Sequence, residues 1–222
     1  MKKTKIINLY GGAGVGKSTT AAKIYNELQM NGYECDLPYE FPKQVAWENN
    51  RSQISDQLFI FAGQHRNIVR SYGKVDYIIL DSPILLSLVY KNLYNEGFPA
   101  SLYGNNFDRM ALDVYRGYDN INFFIQRNVE TYVDEGRLQT HKESIMVDNE
   151  IEKLLLKHDI DYIGVPQTKD IGDKISQHIM ITNKIGNNVS KSVNKIWSVY
   201  LPPSRCKFAI LIFLSILKNP SV

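Results

Sequence analysis

The nine residues GGAGVGKST at positions 11–19 follow directly on the apolar run IINLY at 6–10. So many glycines make poor core material, because glycine buries no side chain and loses more backbone freedom on folding than any other residue. They suit a loop that bends sharply and brings its backbone close to a ligand. Gly11, Gly16, Lys17 and Ser18 fit the spacing G-x-x-x-x-G-K-[ST] without a gap, and a pattern of helical period opens immediately behind them. The physical reading is a phosphate-binding loop. Backbone N–H groups along Gly11, Gly12, Ala13, Gly14, Val15, Gly16, Lys17, Ser18 and Thr19 can face phosphate oxygens, and the following helix adds the positive end of its dipole. Lys17 is placed to reach the β- and γ-phosphates and the Ser18 hydroxyl to ligate Mg²⁺, so ATP and Mg²⁺ are the expected cofactors.

Such a loop requires a strand before it and a helix after it, and the rest of the chain repeats that alternation. Strand-like runs recur at VDYIIL (75–80), INFFIQ (121–126) and DYIGV (161–165), with a weaker one at YECDL (33–37). Between them, Ala21, Ala22, Ile24, Tyr25 and Leu28 predict one helix and Leu58, Phe61, Ala62, His65 and Val69 a second. Ile145, Met146, Ile151, Leu154 and Leu155 predict a third, and Ile171, Ile175 and Ile179 a last one. This alternation implies an α/β fold, a doubly wound parallel sheet of about five strands covered on both faces. Ligands of such sheets bind at the carboxyl ends of the strands. The turn-rich stretch NEGFPASLYGNN (95–106) is expected as a surface loop over that edge.

With 222 residues, 44% of them hydrophobic, the chain can bury one sizeable core, assigned to residues 1–184. The net charge of +3 carries no concentrated Lys/Arg block, so a small anionic molecule is expected as partner rather than nucleic acid. Cys35 and Cys206 have no C-x-x-C partner and suggest neither zinc nor a disulfide framework, which fits a reduced, cytoplasmic protein. The N-terminal lysines resemble the start of a signal peptide, but glycines interrupt the short apolar stretch and it reads as a first strand. Residues 185–222 form an irregular tail ending in the apolar run FAILIFLSIL (208–217). That run is about half the ~20 residues of a transmembrane helix. No transmembrane span is expected; the run is expected to pack on the domain or on a partner, such as a second copy in a homodimer, with a membrane-surface contact or an aberrant tail as the alternatives.

Asp81 ends the strand VDYIIL and should emerge facing the loop, where a carboxylate either holds Mg²⁺ or accepts the proton of an attacking hydroxyl. Arg127 follows the strand INFFIQ and Arg137 follows VDEG, within a lid segment at about 127–143. Arginines on such a segment can stabilise charge on a transferring phosphoryl group. The acceptor half is expected between the second strand and Asp81, with Glu40 holding a sugar hydroxyl, Gln64 and Arg66 reaching a base edge or a phosphate, and Lys43 also among the substrate-binding residues. Trp47, Glu48 and Gln57 share that stretch, and His65, His141, His158 and His178 are read as structural.

At these residues the sequence resembles phage and bacterial P-loop kinase-like proteins often labelled AAA-type ATPases, related to the ribosylnicotinamide kinase domain and to small nucleoside and nucleotide kinases. The matching pieces are GGAGVGKST, YEFPKQVAWE, DQLFIFAGQ, GKVDYIILDSPILLSLVY, EGRLQT followed by VDNEI, and GDKI, together covering about residues 4–182. The resemblance implies a doubly wound sheet, ATP and Mg²⁺, a lid carrying Arg127 and Arg137, and GDKI near the adenine. It also implies phosphorylation of a nucleoside-like hydroxyl or phosphate. Lys142-Glu143 stands where the resemblance leads one to expect a more acidic lid helix.

The leading expectation is therefore a kinase for a nucleoside, nucleotide or nicotinamide riboside type substrate. The alternative is a switch or motor ATPase acting on a protein or nucleic-acid partner; GTP is disfavoured because Asn183-Lys184-Ile185-Gly186 lacks the aspartate of N-K-x-D. A kinase acting on polynucleotide ends is opposed by the absence of a basic stripe.

Overall fold

The computed structural model describes residues 1–48, 51–94, 105–128 and 140–188. Five strands, β1 (Lys5–Tyr10), β2 (Cys35–Asp36), β3 (Tyr77–Leu80), β4 (Asp119–Gln126) and β5 (Ile163–Pro166), form one sheet in the order β2-β3-β1-β4-β5. Every pairing is parallel, with Ile7 opposite Ile79 on one side and Ile121 on the other. The expected doubly wound α/β sheet is what the chain forms. The helices are α1 (Lys17–Met30), α2 (Phe41–Trp47), α3 (Arg51–Ser55), α4 (Gln57–Ser71), α5 (Leu86–Leu93), α6 (Asn106–Arg116), α7 (His141–Lys157) and α8 (Ile171–Asn188).

Side chains alternate across the strands, yet both faces are apolar because helices cover both. Ile7, Leu9, Ile79, Phe123 and Ile125 point to one face, under α1 and α8 through Ala21, Ile24, Leu28, Ile171, Ile175 and Ile179. Ile6, Tyr10, Ile78, Leu80 and Phe124 point to the other, under α4, α5, α6 and α7 through Phe61, Leu88, Leu112 and Ile151. The polar residue inside IINLY is accommodated by bonding. The Asn8 amide donates to Asn120 Oδ1 at 2.9 Å and Asn122 Oδ1 at 3.0 Å, and Asn122 in turn donates to the Asp161 carbonyl at 2.8 Å.

Four helices were expected and all four form, but their buried faces differ in detail from the apolar stripes. On α4 the buried set is Ile60, Phe61, Gln64, Ile68 and Ser71, while Val69 is 55% exposed. On α7 it is Ser144, Val147, Ile151, Leu154 and Leu155, while Met146 is 48% exposed. Gln64 and Ser144 can be buried because each donates a hydrogen bond, to Ser82 and to the Thr140 carbonyl respectively. Helices α2, α3, α5 and α6 lie where no helix was expected, and α6 begins at the last residue of the stretch expected as a loop. The final helix continues to Asn188, beyond the boundary drawn at 184. Among the described residues no helix is long and apolar enough to cross a membrane. The apolar run 208–217, Cys206 and most of the 95–106 stretch lie outside the described residues.

Candidate active site

Strand β1 lies between β3 and β4, so the loops that leave the carboxyl ends of these three strands converge on one edge. The first is the glycine-rich loop. Gly11, Gly14 and Gly16 have φ of 146°, 90° and 82°, which side chains on a Cβ rarely adopt, so the spacing of glycines follows from the backbone path. Gly16 is the N-cap of α1, no side chain caps that helix, and its first turn holds no acidic residue. By contrast, Asp56 caps α4 by accepting from the N–H groups of Leu58 and Phe59 at 3.1 Å each. A reciprocal Thr140–Glu143 capping box opens α7. The N–H donors at the start of α1, with Ser18 and Thr19 exposed beside them, keep their capacity for an anion.

Lys17 folds back over this loop, donating from Nζ to the Gly12 carbonyl at 2.9 Å. Burial pushes its pKa down, opposed by the carboxylates of Glu40, Asp81 and Asp148 and reinforced by Arg127, so these four charged groups lie within electrostatic reach of the ammonium. Arg127 leaves the end of β4 and is almost fully buried: Nε donates to Asp148 Oδ2 at 2.7 Å and Nη1 to the Ala13 carbonyl at 2.8 Å. The other oxygen of Asp148 accepts the Gly12 N–H. From the end of β5, Gln167 donates to the Gly14 carbonyl at 3.2 Å and accepts the Asn128 N–H at 2.9 Å. Three consecutive loop residues are thus held by side chains from three other elements. Sequence reading missed Asp148 and Gln167. Asp148 falls inside the matching piece VDNEI, which was the only signal for it, and Gln167 carries none.

Glu40, Phe41, Gln64, Asn67, Asp81 and Ser82 help to line a pocket. Glu40 stands at the N-cap of α2, yet its side chain makes no capping bond. Burial raises its carboxyl pKa, the neighbouring Asp81 raises it further, and Lys17 and Lys43 oppose the shift. Gln64 is fixed in the pocket wall, donating to the Ser82 carbonyl at 2.9 Å and to its hydroxyl at 2.7 Å. Lys43 is exposed and lies 5.3 Å over the ring of Trp47, which is itself 69% exposed and edge-on to Tyr39. Arg66 is on the exposed side of α4 and does not line the pocket. Arg137 lies outside the described residues, as does 129–139 of the lid segment. His65 shares a hydrogen bond of 2.8 Å with the Tyr118 hydroxyl. GDKI joins helices: a Cβ at Gly172 would stand 2.6 Å from Lys23 Cγ of α1, and Asp173 pairs with Lys23 at 3.1 Å.

Among the described residues there is no group of three or more His, Cys, Asp or Glu placed to hold a metal ion. Mg²⁺ does not require one, since it keeps several waters and uses one or two protein groups beside substrate phosphates. A hydroxyl at Ser18 and a carboxylate at Asp81, both oxygen donors beside the loop, fit that ion. The arrangement as a whole offers a phosphate cradle and two carboxylates in different environments around one lysine.

A family model described as "AAA domain" matches residues 6–174. No curated protein matches the sequence. Among solved structures, NadR in complex with NR is similar at a TM-score of 0.56 and 14% identity, over 73% of this chain and 43% of that one. This chain therefore spans less than half of NadR. Deoxyadenosine kinase from M. mycoides with bound dATP is similar at a TM-score of 0.53 and 18% identity, over 82% of this chain and 99% of the other. YorR from Bacillus subtilis, in complex with phosphorylated GDP, is similar at a TM-score of 0.52 and 15% identity, over 83% and 99%.

Proposed function

The chain belongs to the AAA domain family, and on that premise we propose that it is a small-molecule kinase. It transfers the γ-phosphoryl group of ATP, with Mg²⁺, to an acceptor of nucleoside, nucleotide or nicotinamide riboside type. The observation that carries the reading is the meeting of Lys17 with Glu40 and Asp81 at the edge where the glycine loop ends and a pocket opens. The names of the similar structures, a deoxyadenosine kinase among them, support the acceptor class.

In this mechanism the N–H groups of residues 14–19 and the Lys17 ammonium hold the β- and γ-phosphates. Lys17 exchanges the Gly12 carbonyl for phosphate oxygen, and a desolvated ammonium gains more from that exchange than a solvated one. The Ser18 hydroxyl and Asp81 would hold Mg²⁺, which would supply positive charge against the triphosphate. Two carboxylates whose environments differ divide the remaining roles. Glu40, with its raised pKa, accepts the proton of the acceptor hydroxyl; the oxygen–phosphorus bond to the acceptor forms as the bond from the γ-phosphorus to the bridging oxygen breaks, and ADP leaves. Arg137 supplies a cation to the transferring group. Gln64 shapes the acceptor wall, and Lys43 at the rim attracts an anionic acceptor. Arg66, on the exposed side of α4, contributes at most long-range charge.

The test is transfer of the labelled γ-phosphoryl group of ATP to a panel of nucleosides, deoxynucleoside monophosphates and nicotinamide riboside, with Lys17→Ala as the blank. Labelled product from one acceptor class supports the reading. Label released only as inorganic phosphate, whatever the acceptor, transfers the chain to the ATPase alternative.

A further inference from the structure

The cradle holds one carboxylate that the proposed chemistry does not use. Asp148 sits on α7, far from the loop in sequence, and its side chain is 13% exposed. Its two oxygens have separate duties, one accepting the Gly12 N–H and the other accepting Arg127 Nε. Arg127, 6% exposed, passes the connection on to the Ala13 carbonyl. Packing here is close: a Cβ at Gly12 would stand 2.5 Å from the Ser144 carbonyl of α7 and 2.9 Å from Arg127 Nη2.

We propose that Asp148 is a positioning residue for nucleotide binding, acting through the Gly12 N–H and Arg127 to hold the leading arm of the loop in its phosphate-ready path. The physical basis is preorganisation. A glycine-rich loop has more conformations to lose than any other, and a ligand that must order it pays that entropy out of its affinity. Asp148 fixes one peptide N–H directly and the next carbonyl through a buried guanidinium, so the cost falls on folding rather than on binding. Asp148 also acts on Lys17 electrostatically, favouring the charged ammonium that phosphate requires. The geometry commits two of the Arg127 donors to protein, which makes Arg127 part of the same positioning unit.

This inference rests on the reading that the loop binds ATP, and its test reads ATP affinity by calorimetry without any acceptor. In Asp148→Ala the Kd for ATP should rise by on the order of tenfold to a hundredfold. Asp148→Asn, which keeps an oxygen for the Gly12 N–H, should recover part of that loss. If the pair acts as one unit, Arg127→Gln combined with Asp148→Ala binds ATP no more weakly than the worse single variant. The comparator is Asp108→Asn, which breaks the ion pair of Lys91 and Asp108 between α5 and α6; it should lower Tm and leave ATP affinity unchanged. A folded Asp148→Asn or Asp148→Ala with wild-type ATP affinity would overturn the proposal while leaving the kinase reading intact, and so would losses that multiply in the double variant. Failure of the wild-type protein itself to bind ATP would instead overturn the kinase reading and the positioning role together.

Discussion

At the scale of single residues, the site holds charges in places that cost stability. Glu40 has its carboxyl pKa raised by burial and by Asp81. A carboxyl raised in the folded state favours folding most while it is protonated, below its unfolded value near ~4.3, and loses that advantage as pH rises through the folded value. Above that folded value the ionised side chain strains the fold. Glu40→Gln should raise Tm relative to wild type, with a gap that widens as pH rises above about 4, while phosphoryl transfer falls by on the order of 10² to 10⁴. A gap that stays flat with pH would contradict the strained carboxylate. Asp81→Asn should reduce transfer more than ATP affinity, and full turnover in that variant would contradict the metal-holding role proposed for it. Lys17 and the loop glycines were legible in the sequence because covalent spacing alone defines them. Asp148 and Gln167 were not, because their roles exist only through contacts made 136 and 153 residues away in the chain.

Among the elements, the strands were the most legible, since runs such as VDYIIL need helices on both faces and admit few other structures. The helices were legible as helices and less so as faces. An apolar stripe leaves the rotation of a helix uncertain by one residue, and polar side chains decide it when they find buried partners. Gln64 turns α4 inward because Ser82 can accept from it twice. Short helices such as α2 and α3 carry too few residues for a period, and α2 is instead marked by Pro42 in its first turn. Ends are set by caps, and the Asp56 cap of α4 gives a measurable case. Asp56→Ala should cost about 1 kcal/mol, a fall in Tm of roughly 2–4 °C for a chain of this size, without altering ATP affinity. A drop in ATP affinity at unchanged Tm would show that α4 communicates with the loop beyond its role as a wall.

Over the whole molecule, a parallel sheet with β1 at its centre brings the ends of β1, β3 and β4 to one edge, so three stretches far apart in sequence share one site. That convergence was foreseeable from the strand–helix alternation, whereas the grip of α7 and β5 on the loop was not, because it depends on single side chains, Asp148 and Gln167, that reach the loop from distant parts of the chain. On the proposed reading, phosphate handling falls to the loop held by Arg127 and Asp148 and acceptor handling to the pocket wall of Glu40 and Gln64. A kinase needs both halves; an ATPase needs only the first. The most direct measurement is the rate of ADP formation by the purified protein with Mg²⁺ and ATP, with and without each acceptor of the panel. The kinase account predicts a low rate without acceptor and a rise of at least an order of magnitude with one acceptor class, abolished in Lys17→Ala. A steady rate indifferent to every acceptor and equally abolished in Lys17→Ala would contradict it.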